Sequence, residues 1–221
     1  MNKIIATLLL GFLVLGGCTS TTINEFRQAP IELSDQDSVV ILGRRQSGQH
    51  ETEPFLIDCI AKELDALGKN VQIIGEIDFI NRLYPWFEPR TAPAQTKHLP
   101  KLMDNPGVIE KIADQKVRYI IWLDGDTERV AGGGSLSCAA GPGGGGCFGF
   151  AWWQNDADYQ ASVWDLSDLE SAGTVTTDVS GTSFLPALVI PIPLIARTQT
   201  KACKALAGQL QLFIGSGDES V

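Results

Sequence analysis

The sequence predicts an α/β (or α+β) fold, built as one two- or three-layer domain with a mixed sheet, an opening β-α-β unit and a C-terminal helix. Three observations predict it. Two short apolar runs closed by glycine, Val39-Val-Ile-Leu-Gly43 and Val71-Gln-Ile-Ile-Gly75, flank an amphipathic stretch. Tyr119-Ile-Ile-Trp-Leu123 is apolar on both faces, as a central strand is. Beyond it the pattern turns to consecutive strands, and the chain ends in one more amphipathic run. With 221 residues, 44% of them hydrophobic, the chain can bury a core without help from a metal.

The chain opens on Lys3 and the apolar run Ile4–Gly17, too short for a stable membrane span. This run ends in Leu15-Gly-Gly-Cys18, which resembles the processing site of bacterial lipoprotein precursors. The resemblance implies that residues 1–17 are a signal peptide and that Cys18 is lipidated, becoming the first residue of the mature chain. Thr19 follows where an aspartate would resemble an inner-membrane retention signal. The implied address is the outer membrane, on its periplasmic side. Residues 18–37 read as the lipidated cysteine and a polar tether, 38–215 as a single α/β domain, and 216–221 as a loose tail.

Val39–Gly43 is the first core strand. The helix after it spans about Pro54–Leu67. Thr52 is placed to cap it, Glu53 and Pro54 suit its first turn, and Leu56, Ile60, Leu64 and Leu67 line one face. Gly68 stops it, and Val71–Gly75 pairs in parallel with the first strand. Asp78 is placed to cap a short helix, Phe79–Tyr84, ended by Pro85; residues 85–98 read as a loop. Residues 99–115 are helical in two pieces broken at Asn105-Pro106-Gly107, with Ile109 and Ile112 turned inward. Tyr119–Leu123 is the third strand, closed by Asp124-Gly-Asp126. From Ala131 to Gly149 nine of nineteen positions are glycine, which reads as a loop held by a disulfide. Phe150–Trp153, Gln160–Leu166 and Thr174–Val179 are strands separated by loops at 154–158 and 167–173. Phe184–Ala196 is apolar yet carries Pro186, Pro191 and Pro193, so it reads as an extended, covered loop or edge segment. Its functional alternative is a docking patch for a partner or lipid. Thr200–Ile214 is the last helix, with Ala202, Cys203, Leu206, Leu210 and Phe213 on one side, widened by Leu212 and Ile214, and Gly215 at its end.

The formal charge is −9, and −10 once Lys3 is removed with the signal peptide. A strongly acidic chain without a basic run excludes nucleic acid as a partner, because such affinity depends on neutralising phosphates. It also excludes electrostatic adhesion to anionic lipid, so the membrane is reached through the acyl chains. Besides Cys18 there are Cys59, Cys138, Cys147 and Cys203. Four cysteines allow three pairings, and an oxidising compartment favours disulfides. Cys138–Cys147 is the natural short loop, which leaves Cys59 with Cys203.

Candidate chemistry is sparse. Asp124 and Asp126, at the end of an apolar strand, are the pair that a metal-assisted hydrolase would use. They faintly resemble the aspartate motif of the haloacid dehalogenase family, but Glu128 stands where that family has a hydroxyl or small apolar residue. The plainer reading is a strand-ending turn. Gly141-Pro-Gly-Gly-Gly-Gly-Cys147 lacks the Lys-Ser/Thr of a phosphate-binding loop. His50 and His98 fall in polar loops outside any metal-ligand spacing, so neither metal nor cofactor is expected. Ser183 lacks the flanks of a nucleophile elbow. Five tryptophans stand out, at 86, 122, 152, 153 and 164. Trp122 and Trp164 read as packed. In a strand, Trp152 and Trp153 must point to opposite faces, one toward a core and one outward. Trp152, Trp153, Phe184 and Leu185 are the candidate interface residues.

The order of elements resembles a group of small bacterial envelope lipoproteins related to the amino-terminal domain of TolB, to LpoB and to CsgG. The residues that carry it are the Leu15–Cys18 processing site, the tether, the strand-helix-strand at 39–75, the strand at 119–123, and strands followed by the helix at 200–214. The two cysteine pairs, the glycine stretch and the proline-rich run depart from that pattern. The resemblance implies a periplasm-facing α/β adaptor with a protein partner in the cell envelope. It stands against two other expectations, a periplasmic hydrolase and a purely structural lipoprotein.

Overall fold

The computed structural model describes residues 18–34, 36–44, 51–66, 72–88, 90–93, 96–142 and 144–215. The expected signal peptide, His50, Leu67, Gly68, Val71 and the tail after Gly215 lie outside the described residues. The fold is α/β. A six-stranded mixed sheet has the order β1-β6-β5-β4-β2-β3, with β1 Thr19–Arg27, β2 Ser38–Gly43, β3 Gln72–Ile74, β4 Val117–Gly141, β5 Gly144–Asp165 and β6 Glu170–Val189. The helices are α1 Pro54–Asp65, α2 Glu76–Arg82, α3 Leu99–Met103, α4 Pro106–Asp114 and α5 Thr198–Gly215, with a 3-10 turn at Thr96–His98. The chain forms two compact units. An α/β unit holds Thr21–Thr127, Ala157–Asp178 and the chain from Gln199 on; a hairpin unit holds Cys18–Ser20, Glu128–Asp156 and Val179–Thr198.

The α/β unit is organised by β2 and its two parallel neighbours. Val40 pairs with Ile74 on β3 and with Ile120 on β4, and Leu42 pairs with Trp122. The two-residue period of a strand then sorts the core. Val40, Leu42, Ile120 and Trp122 face one side and pack with Phe79, Leu83, Leu99, Met103, Val108 and Ile112 of α2 to α4. Val39, Ile41, Tyr119, Ile121 and Leu123 are buried on the other side. There α1 contributes Leu56, Ile57, Ile60 and Leu64, and α5 contributes Ala202, Leu206, Leu210 and Phe213. Cys59 of α1 is disulfide-bonded to Cys203 of α5. Leu56, Ile60 and Leu206 are each fully buried, worth about 1.5–3 kcal/mol apiece relative to exposure.

Several local expectations are corrected. Thr52 does not cap α1. It is buried, its Oγ1 accepts the Arg44 N–H and donates to the Leu123 carbonyl, and it ties the end of β2 to β4 at Leu123. Glu53 is the N-cap residue, with its side chain engaged elsewhere. Helix α2 starts at Glu76 rather than Phe79, and α4 turns Val108 and Ile112 inward while Ile109 is exposed. Leu212 of α5 is also exposed.

Thr19–Arg27, read as tether, is instead the edge strand β1 beside β6. The N–H of Gln28 donates to the carbonyl of Ala172 at 2.9 Å, and Arg27 donates from Nη1 to the Phe213 carbonyl at 2.9 Å with its guanidinium over the Phe213 ring. The first contact holds the end of β1 to β6, and the Arg27–Phe213 contacts anchor it to α5. The glycine stretch is not a loop either. β4, ending at Gly141, and β5, starting at Gly144, run through it as neighbouring strands of one long hairpin, and the loops expected at 154–158 and 167–173 shrink to the connection 166–169.

Candidate interaction surface

Two places collect the functional side chains expected from sequence. The first lies in the α/β unit, at the carboxyl end of β2, where β4 runs on past its pairing with β2 at Leu123; ligands bind at such strand ends in open α/β sheets. Asp124 is paired with Arg44 through Nη2, and its Oδ1 accepts the Gly125 N–H at 3.0 Å. Glu53 accepts from the Thr127 N–H at 2.7 Å, from the Tyr159 hydroxyl at 2.8 Å and from Gln199 Nε2 at 3.0 Å. Burial pushes the Tyr159 pKa up; the Thr127 hydrogen bond opposes this, and the Glu53 carboxylate and Asp126 reinforce the rise. Tyr159 is therefore a protonated donor at neutral pH. These contacts join the start of α1, the start of α5, β4 and β5, so the carboxylates Glu53 and Asp124 are engaged by protein partners. Among the described residues no three histidine, cysteine or acidic side chains converge to hold a metal ion.

The second place is the hairpin unit. Its charged residues from Cys18 onward are Glu128, Arg129, Asp156 and Arg197, two of each sign, so the acidic surplus of the chain lies elsewhere. No charge falls between Val130 and Asn155 or between Val179 and Ala196. Cys138 and Cys147 are disulfide-bonded across the hairpin. Trp152 and Trp153 are both half-buried rather than one buried and one exposed. The glycines explain how they sit. A Cβ on Gly133 would meet Trp152 Nε1 at 3.3 Å, and one on Gly132 would meet Trp153 Cβ at 3.4 Å. Small residues on β4 thus leave room for indoles on β5. Arg129 lies over the Trp153 ring at 5.3 Å, a cation–π contact, and residues 129–134 with 151–153 line a shallow concavity of about 430 Å³.

Phe184 is half-buried and stacks on Phe150, with centroids 6.0 Å apart; Leu185 is half-buried as well. The segment after them corrects the expectation of a covered loop. β6 continues through Pro186 to Val189, turns, and returns with bridges Ala187–Pro191 and Phe184–Leu194. Pro186 accepts the Ile192 N–H through its carbonyl at 3.0 Å. The large side chains at the turn are open to solvent: Leu188 is 77%, Val189 65% and Ile190 72% exposed. Phe148, Ile192 and Ile195 are exposed too. Residues 188–190 lie in the 184–196 run whose alternative reading is a docking patch, although only Phe184 and Leu185 of that run are singled out by sequence. The signal that locates them was present, an apolar run whose prolines prevent it from becoming a covered strand.

Cys18 is a free, exposed cysteine. Its carbonyl accepts the Thr182 N–H at 3.1 Å, which places the start of β1 against the middle of β6.

No family model and no curated protein matches the chain. Among solved structures, the chain is similar to the PelC dodecamer from Paraburkholderia phytofirmans, at 13% identity and a TM-score of 0.40, covering 88% of this chain and 97% of that one. A single-substitution variant of the same dodecamer gives 12% identity and a TM-score of 0.39 over the same shares. A likeness this shallow carries no weight for function.

Proposed function

We propose that this chain is a lipid-anchored lipoprotein of the outer membrane, facing the periplasm, which serves as a binding or assembly component of the cell envelope through its hairpin unit. The observation that carries this reading is the surface around Trp152 and Trp153. It is aromatic, it is flanked by a single arginine, it is stiffened by the Cys138–Cys147 bridge, and its β4 wall is glycine. Tryptophan and arginine are the residues that most often dominate protein–protein contacts. Cys18 at the start of β1 supplies the anchor implied by the Leu15–Cys18 processing site. The hydrolase alternative gains no support from the Asp124 region, where Arg44 and the Gly125 N–H take up the carboxylate.

Two measurements test the reading. Mass spectrometry of the chain isolated from envelope membranes should find an acylated Cys18 as the first residue. A photo-crosslinking amino acid at Trp153, installed in cells, should give one discrete protein adduct that the same probe at Ile77 does not give. Replacing Cys138 and Cys147 together with serine should weaken that adduct. An unmodified Cys18 sinks the anchor, and adducts of equal pattern at positions 153 and 77 sink the docking surface.

A further inference from the structure

We propose that the apolar end of the hairpin unit is a lipid-contacting surface that lies on the bilayer beside the anchor. This inference rests on the lipoprotein reading of Cys18. The partner chemistry follows from three features of the hairpin unit taken together.

The first is the exposed side chains. Phe148, Leu188, Val189, Ile190, Ile192 and Ile195 range from 42% to 77% exposed. Apolar side chains scattered singly over a surface need no explanation, but five of these six fall within residues 188–195. Gly146 of β5 approaches Val189, its missing Cβ 3.6 Å from Val189 Cγ1, so the hairpin end bearing Phe148 lies at the same turn. The second is the missing charge. Neither stretch that forms this end carries an ionisable group, whereas a surface meant only for water in a chain of net charge −9 would carry some.

The third feature selects lipid over protein. Cys18 pairs with Thr182 and Gln28 with Ala172, so β1 runs antiparallel to β6 and its first residue faces toward the turn at Val189. Leu194 pairs with Phe184, so Ile195 returns to the level of Ser183, one residue from the partner of Cys18. Gly181 marks the meeting point: a Cβ there would stand 2.9 Å from Ala196 Cβ and 3.1 Å from Thr19 Cγ2. The apolar stripe therefore begins where the acyl chains attach. It runs to Val189 along seven residues of β6, roughly 23 Å at the rise of a strand. A stripe of that length that starts at the anchor lies flat on the membrane that the anchor enters. Because the whole chain is acidic, its attraction to lipid must be apolar and insensitive to salt.

The test removes the anchor so that only the stripe is measured. The mature chain with Cys18→Ser is floated with vesicles of phosphatidylethanolamine and phosphatidylglycerol, at low salt and at about 0.5 M salt. The expected result is partial flotation, equal at both salts. Leu188→Glu with Ile190→Glu should lower the partition coefficient roughly tenfold or more. Ile192→Glu with Ile195→Glu should do the same, and Ile77→Glu, an equally exposed position on α2, should change nothing. All five side chains are exposed, and circular dichroism confirms that each variant is folded. No flotation of the unlipidated chain overturns the proposal, as does flotation unchanged by both tip variants. A tip variant that only dissolves an oligomer, with vesicle binding intact, assigns the surface to a second copy and also overturns it. None of these outcomes bears on whether Cys18 is acylated, which mass spectrometry decides separately.

Discussion

The Tyr159 hydroxyl donates to the Glu53 carboxylate at 2.8 Å, across 106 residues of chain. Tyr159 is almost wholly buried, and the Thr127 hydroxyl lies 3.0 Å from its oxygen. Removing the donor leaves a charged acceptor short of one bond, which costs about 1.5–3 kcal/mol. Tyr159→Phe should lower unfolding stability by that amount in urea titration. The pH dependence follows from the raised pKa. The folded state holds the phenolic proton more tightly than the unfolded chain, whose tyrosine titrates near pH ~10. This contribution is complete below that pH and is lost as pH rises above it. The phenylalanine variant should lack that part of the alkaline loss. Equal alkaline slopes in the two proteins would exclude Tyr159 as its source.

Asp165 makes the opposite prediction. Burial works to raise its pKa, but the N–H and hydroxyl of Ser167, together with Arg118 at 2.8 Å, outweigh burial and lower it. Its contribution is present above the unfolded carboxylate value, about 4, and is lost as pH falls through the lower folded value. Asp165→Asn should therefore reduce Tm by a constant amount from neutral pH down to about 5, and the gap to the parent should close below about 4. A gap that stays constant into acid would show that Asp165 is not held by its charge.

The α/β unit was legible because its signals are local and periodic. Val39–Gly43 and Tyr119–Leu123 are unbroken apolar runs and are buried on both faces, and the helix faces Leu56/Ile60/Leu64 and Leu206/Leu210/Phe213 follow the helical period and are buried where it places them. The hairpin unit was hidden for the opposite reason. A glycine-rich strand has no side chains from which a two-residue period can be read, so Ala131–Gly149 looks like loop until Trp152 and Trp153 are seen packed over Gly133 and Gly132. β1 was missed because its side chains are mostly polar and exposed, even though Thr21, Thr22, Ile23 and Phe26 are strand formers. The candidate surface was half legible. Trp152, Trp153, Phe184 and Leu185 come from composition, but exposure at Leu188 to Ile190 depends on a turn that only the bridges Ala187–Pro191 and Phe184–Leu194 define.

Gly125 and Gly208 offer a contrast in what a single methyl group does. Gly125 sits at φ +128°, and a Cβ there would stand 2.0 Å from the Asp158 carbonyl oxygen. Neither the backbone angle nor the neighbouring strand tolerates it. Gly125→Ala should cost roughly 3 kcal/mol or more, read from the urea midpoint. Gly208 lies within α5, and a Cβ there meets nothing within 4 Å. Gly208→Ala should instead stabilise by about 0.5–1 kcal/mol, as helix propensity requires. If both variants shift the midpoint the same way, the close approach at Gly125 is not what demands glycine.

The two disulfides should differ in what they hold. Cys59 and Cys203 are separated by 144 positions and Cys138 and Cys147 by 9. Chain entropy alone assigns the long closure about 5 kcal/mol and the short one about 3 kcal/mol, with measured values commonly smaller. Cys59→Ala with Cys203→Ala should therefore cost the more, roughly 2–5 kcal/mol, and should lower Tm for the helices α1 and α5 that it joins. Alanine is the suitable replacement because Cys203 is fully buried and a serine hydroxyl there would lack a partner. Cys138→Ala with Cys147→Ala should cost less, and its effect should be local. Hydrogen exchange should accelerate over residues 131–153 while the amides of β2 and of Tyr119–Leu123 keep their protection. The result that would reverse this assignment is uniform loss of protection in the short-bridge variant, which would make the hairpin bridge a condition for the stability of the α/β core rather than a local brace on the tryptophan surface.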